Sequence, residues 1–217
     1  MTLQNRVQAD GEIVASSWRG EWMGNRGILH DDARQLGAAR WRHQTWVCCA
    51  LSLKGRDRRI LMRPGGYYTE LFFYDEAQAL AAGHRPCAEC RRPDYTRFRT
   101  AWEAALGAAD AKAMDRALHA ARVRRNRRQI RLCLPAQDLP HGAVILRDSG
   151  PALIWHGALH GWSPAGYGPA EPLPQGPQTV ATPAPTLAVL AAGYAPQPHA
   201  SLPSRPETPY DGHTPKG

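Results

Sequence analysis

Residues Leu71 to Arg92 read LFFYDEAQALAAGHRPCAECRR, and this stretch sets the organisation expected of the rest of the chain. Asp75 is placed to cap a short helix, Gln78 completes the spacing of a capping box, and Gly83 supplies the left-handed residue that ends it. The chain then turns through His84-Arg85-Pro86 into Cys87-Ala88-Glu89-Cys90, the only paired-cysteine motif in the sequence. A Cys-x-x-Cys turn lets two thiolates face one ion at about 2.3 Å while the intervening amides stabilise the sulfur charge. Two sulfurs make half of a tetrahedral site, so the reading requires further donors.

The nearest source of donors is a predicted hairpin, with Thr45 to Leu53 and Arg58 to Met62 as strands and Lys54-Gly55-Arg56-Asp57 as the turn. Consecutive strand side chains point to opposite faces, so only one of Cys48 and Cys49 can look toward a shared site. That cysteine is the expected third ligand, with His43 or His84 as the fourth and zinc as the ion. Buried cysteine also serves as a small apolar core residue, and the sequence leaves that alternative open.

Helix, glycine stop, Arg-Pro-Cys and Cys-x-x-Cys follow one another over 71–92 in an order that resembles the distal half of the Ada-type metal-binding domain, the module of the bacterial methylphosphotriester repair protein. The resemblance implies a metal knuckle and a DNA context. Domains of this type carry an upstream Cys-Arg-Pro segment, whose counterpart here is Met62-Arg63-Pro64-Gly65-Gly66. A methionine thioether cannot become a thiolate nucleophile, so methyl transfer is not implied.

Charge points the same way. The chain has 27 basic and 19 acidic residues, a net charge of +8, and lysine occurs only at positions 54, 112 and 216. The planar arginine fork matches phosphate and stacks on bases, which predicts a nucleic-acid partner, DNA by the resemblance. A GC-rich genome produces the same bias without functional demand. No stretch reaches the ~18 apolar residues of a membrane span, and the N-terminus lacks a basic-then-apolar export pattern, so a soluble cytoplasmic chain with reduced thiols is expected.

Between Gly11 and Ser17 a short strand is expected, and Met23-Gly24-Asn25-Arg26-Gly27 reads as a turn. His30, Asp31 and Asp32 form the densest group of acid, base and hard-metal side chains, candidates for a metal-dependent nuclease or repair hydrolase. The same aspartates can instead cap a helix over 33–40. After the knuckle, Pro93 and Asp94 open a helix with Tyr95, Phe98, Trp102 and Leu106 on one face, and Asp110 starts another through Met114 and Leu118. It runs into Arg122 to Arg131, six arginines in ten positions. Phosphate contacts are therefore expected from Arg91, Arg92, Arg97, Arg99, Arg122, Arg124, Arg125, Arg127, Arg128 and Arg131.

Residues 132–162 are β-rich, with strands over 143–146 and 152–155. Beyond Ser163 lie 13 of the 19 prolines, predicting irregular or extended chain packed over a surface. Within it Leu187 to Pro196 repeats the helix-stop pattern of Gln78 to Pro86. The expected architecture is α+β: a knuckle-containing domain over 1–131, a β- and proline-rich extension over 132–199 packed on it, and a disordered tail over 200–217. Three functional classes remain: a nucleic-acid-binding protein with a structural knuckle, a hydrolase using His30, Asp31 and Asp32, and a zinc-stapled scaffold for another protein.

Overall fold

A computed structural model of the chain describes residues 2–59, 65–124 and 129–203. The strands are β1 (Gln4–Val7), β2 (Ile13–Ala15), β3 (Trp22–Asn25), β4 (Val47–Ala50), β5 (Ser52–Leu53), β6 (Arg56–Asp57), β7 (Leu71–Phe73), β8 (Arg85–Pro86), β9 (Leu132–Pro135), β10 (Val144–Arg147), β11 (Gly150–Trp155), β12 (Ala158–Ser163), β13 (Gly166–Glu171) and β14 (Pro177–Val180). The helices are α1 (Glu76–Ala81), α2 (Arg92–Leu106), α3 (Ala111–Arg122) and α4 (Ala184–Ala191). One mixed sheet has the order β2-β1-β7-β3-β4-β8 and one antiparallel sheet the order β13-β12-β11-β10-β14-β9, so the fold is α+β. Among the described residues no helix is long and apolar enough to cross a membrane.

α1 lies at the centre of this arrangement. It is too short to persist alone, since isolated helices need about 12 residues or more, and all of its residues are buried. Ala79 and the following Ala82 join Val7, Leu71 and Phe73 of the first sheet. Ala77 and Ala81 belong to a core shared with Val144, Leu153 and Trp162 of the second sheet, to which Trp18 and Tyr74 contribute edge-to-face ring contacts. Leu80 packs into the cluster of Tyr95, Phe98, Met114 and Leu118 on α2 and α3. The tertiary contacts, more than propensity, hold the helix.

Asp75 accepts a hydrogen bond from the Gln78 backbone N–H at 2.9 Å, but the Gln78 amide makes no bond back, so the cap is half of a capping box. Gly83, with φ of +84°, closes α1 through bonds from its own N–H to Leu80 O and from His84 N–H to Ala79 O, both 2.9 Å. α4 ends identically: Gly193 has φ of +98°, and Gly193 and Tyr194 N–H bond to Leu190 O and Val189 O. The chain leaving Gly83 pairs in parallel with β4, Val47 opposite Arg85 and Cys48 opposite Pro86. That pairing carries the knuckle to the edge of the first sheet.

Four sequence expectations are corrected. The turn expected at 23–27 is largely strand β3, where Gly24 is required because a Cβ there would lie 2.3 Å from the Phe73 ring. No helix forms over 33–40; Asp31 instead closes a turn, its carboxylate accepting from Gln35 N–H at 2.8 Å. Leu106, at the last turn of α2, is exposed rather than on the buried face. α3 ends at Arg122 instead of continuing into the arginine run. The hairpin after β4 is the short pair β5 and β6, turning through Lys54 and Gly55 in left-handed conformation; its expected continuation through Ile60 to Met62 lies outside the described residues. The proline-rich part carries β13, β14 and α4, and the irregular chain that follows includes a turn in which Leu202 N–H bonds to His199 O at 2.9 Å.

Two measurements check this account. Gly83→Ala and Gly193→Ala both force alanine into a left-handed conformation, at about 1 kcal/mol. Only at Gly83 does the new Cβ also meet a neighbour, Arg122 Cδ at 2.4 Å. Gly83→Ala is therefore expected to lower the urea midpoint clearly more than Gly193→Ala, by about a further 1–3 kcal/mol of overpacking. Burial raises the Asp75 carboxyl from 3.8 to about 6, so between those values the folded state keeps a proton that the unfolded chain has lost. Stability contributed at Asp75 is then present at low pH and lost as pH rises through about 6. Melting temperature should fall between pH 5 and pH 7 more in the native protein than in Asp75→Asn.

Candidate metal centre

The register of the first sheet decides which cysteine is available. Met23 of β3 lies opposite Cys49 of β4 and opposite Phe72 of β7, and Phe72 lies opposite Arg6 of β1. Arg6, Phe72, Met23 and Cys49 thus form one row across one face of the sheet. Cys48 points the other way into the core with Val7, Leu71 and Phe73, and Arg91 Nη1 donates to its sulfur at 3.3 Å. Burial pushes the Cys48 thiol well up, which keeps it protonated.

Beyond β8 the knuckle folds back over this row. Cys87 N–H bonds to Cys48 O at 3.0 Å, and the sulfurs of Cys49, Cys87 and Cys90 all come within 4.8 Å of one another. A zinc ion with Zn–S distances of about 2.3 Å needs sulfurs about 3.8 Å apart, so the donor set fits with small adjustment. Thiol hydrogen bonds from Cys49 and Cys90, with the backbone N–H groups of Cys90 and Glu89, hold the Cys87 thiol far below its usual range. Cys49 is raised because it keeps its proton to donate to Cys87 and Cys90, and Ala50 N–H donates to Cys90 Sγ at 3.4 Å. Beside the sulfurs lies a cavity of about 160 Å³ lined by Met23, Asn25, Val47, Arg58, Tyr68 and Glu89 together with Cys49 and Cys87.

The knuckle is anchored from behind. Arg85 makes a bidentate ion pair with Asp115 of α3, at 2.7 and 2.9 Å. Arg91 reaches Glu76 at 2.9 Å and Asp94 at 2.7 Å, and its guanidinium lies 3.8 Å from the Trp22 ring centre. Both pairs are almost fully buried, where removing one partner costs about 3–5 kcal/mol.

Other candidates are placed elsewhere. His84 is buried against Phe73 and Trp46, accepts from Arg26 Nε at 3.3 Å, and is held neutral by desolvation; it is not a fourth ligand. His43 is likewise outside the sulfur group and is depressed by desolvation. His30 Nδ1 lies 2.6 Å from Thr69 Oγ1, Asp31 closes its turn, and Asp32 is exposed. Among the described residues these three do not bring their donor atoms together.

The arginines divide into two groups. Arg91 is consumed by its ion pairs. Arg122 is buried over the Trp46 ring at 3.7 Å and donates to Gly83 O and Gln44 O, so neither is a phosphate contact. Arg131 is half-buried and bonds to Asp10 O. Arg92, Arg97, Arg99 and Arg124 are exposed, Arg97 sharing Asp94 and Arg99 sharing Glu103 along α2. Arg125, Arg127 and Arg128, like Met62, lie outside the described residues. Sequence reasoning missed Asn25, Arg58 and Tyr68 as neighbours of the sulfurs; they line the cavity beside Cys49 and Cys87, and no spacing signals it.

Comparison with protein-family models, with curated proteins and with solved structures gives no match for this chain.

In metal-free protein, iodoacetamide at pH 6 is expected to label Cys87 before Cys49 and Cys90, read by peptide mass spectrometry. Cys49→Ala, which removes one S–H donor, should slow that labelling. First labelling at Cys49 would contradict the proton arrangement.

Proposed function

We propose that the chain is a nucleic-acid-binding protein, with DNA its expected partner, and that Cys49, Cys87 and Cys90 hold one zinc ion. The observation that carries this reading is the row Arg6, Phe72, Met23 and Cys49, which sets the sulfur cluster on the same sheet face as an arginine-lined cleft. That cleft encloses about 420 Å³ between Arg6, Arg19, Arg59, Asn5, Leu51 and Phe72. Arg6 stacks over the Phe72 ring at 4.8 Å, leaving a flat cationic wall of the kind that receives phosphates and base faces. Arg59 is exposed and shared with the equally exposed Asp57, a pairing that contributes little and yields readily to a phosphate. The resemblance of 71–92 to the Ada-type knuckle supports both the ion and the polyanion. The ion's role in this reading is to brace the knuckle against β4.

Metal analysis and binding test the two halves separately. One zinc per chain is expected, lost in Cys49→Ser, Cys87→Ser and Cys90→Ser and retained in Cys48→Ser. Fluorescence anisotropy with labelled single- and double-stranded DNA is expected to show affinity falling steeply with salt. Arg19→Glu with Arg59→Glu should weaken binding to all sequences and flatten the log–log salt slope by about 2. Absence of binding to any nucleic acid at low salt, or unchanged affinity in the cleft variant, would remove the polyanion half.

A further inference from the structure

Zinc takes four ligands, and the described residues bring three together. Among the described residues no other Cys, His, Asp or Glu joins the sulfur group. Residues 60–64, next in sequence after Arg59, read Ile-Leu-Met-Arg-Pro and contain no such side chain, whereas the sequence after Pro203 carries Glu207, Asp211 and His213. The cavity bounded by Cys49 and Cys87 measures about 160 Å³. At about 30 Å³ per water it has room for about five, more than a single bound water needs and less than the 300 Å³ at which drug-sized clefts begin.

The chemistry of the opening narrows what fits. Three thiolates around a divalent ion leave a net charge of −1 and a soft, electron-rich centre, which favours another soft donor over a hard oxygen. Arg58 stands beside Cys49 and Cys90, where its charge interacts with both sulfurs, and its Nη1 is buried with no hydrogen-bond partner. A positive group held there offsets the charge that a fourth sulfur would add. Met23 and Val47 give the cavity an apolar wall for a short carbon stem, while Asn25, Tyr68 and Glu89 offer polar groups for its other end.

We propose that the fourth position of this centre is filled from outside the chain by a small aliphatic thiol, bound through its sulfur as the thiolate and steadied by Arg58. The proposal rests on the metal reading above. On binding, the S–H bond breaks, its proton passes to solvent and a metal–sulfur bond forms; nothing is oxidised or reduced.

Cobalt(II) substitution of the full chain gives a readout that does not depend on activity. The metal-loaded protein is titrated with 2-mercaptoethanol while the visible d–d and sulfur-to-cobalt charge-transfer bands are followed. A saturable gain in charge-transfer intensity is expected, with affinity about tenfold weaker in Arg58→Ala, the effect of one lost charge-assisted contact, and largely restored in Arg58→Lys. Three results overturn the proposal: bands that do not respond to thiol, bands that respond equally to inorganic phosphate, and a four-donor spectrum without thiol that changes in Met62→Leu or His213→Ala. Failure to take up cobalt or zinc at all would overturn the metal reading as well, and is thereby distinguished from a closed site.

Discussion

Two consecutive carboxylates, Asp75 and Glu76, enter the interior at the start of α1, and the surrounding architecture answers to them. A buried carboxylate costs several kcal/mol unless it is paired or hydrogen-bonded. The partners come from three distant parts of the chain. Asp75 accepts from Tyr167 Oη at 2.7 Å, on the second sheet, and from His199 N–H at 3.1 Å. Glu76 takes Arg91 at 2.9 Å, Tyr194 Oη at 2.6 Å and Gln197 N–H at 2.9 Å. Tyr74, just ahead of them, meets the His199 ring and Ser201 at 3.0 Å each. The end of the knuckle, the second sheet and the segment 194–201 are thereby fixed to one turn of helix, and the sulfurs inherit their positions from that attachment.

What could be read from the sequence was whatever local chemistry determines. The Asp75 cap, the Gly83 stop, the buried faces of α2 and α3 and the hairpin of β10 and β11 each follow from residues within a few positions of one another. What could not be read depends on partners far along the chain. Gly24 looks like a turn residue until Phe73 is laid across it. The prolines after Ser163 look incompatible with a sheet, yet Pro169 lies in β13 at the sheet edge and Pro177 is the first residue of β14, positions where a missing N–H costs little.

Arginine content misled for a related reason. Composition treats each guanidinium as a solvated cation, but this fold uses several as interior struts. Arg26 and Arg122 both lie against the Trp46 ring, at 4.0 and 3.7 Å, and each donates to a backbone carbonyl, Gly11 O and Gln44 O, while Arg26 also donates to the His84 ring. Desolvation lowers Arg26 to about 9, while Arg122 is accommodated because Gly83 has no side chain. A run that looks like a phosphate clamp thus begins with a residue committed to closing α1. Beside the exposed arginines of α2, the cationic cleft along the sheet row is assembled from residues far apart in sequence, Arg6, Arg19 and Arg59.

The division of labour between Cys48 and Cys49 follows from the same alternation. Strand side chains change face at every residue, so a slip of one position would exchange the two cysteines and send Met23's neighbours into the core. Cys48 is matched to its interior place by a raised thiol and one guanidinium donor, whereas Cys49 meets two other sulfurs. The three sulfurs are already gathered by β8 pairing, by Arg85 with Asp115 and by Arg91 with Glu76. A site organised to that degree by its supporting contacts pays little ordering entropy on binding an ion. In zinc fingers the metal makes the fold; here strand pairing and buried ion pairs also hold the three sulfurs near one another, and an ion bound there would add to those contacts at the knuckle and the strand beside it.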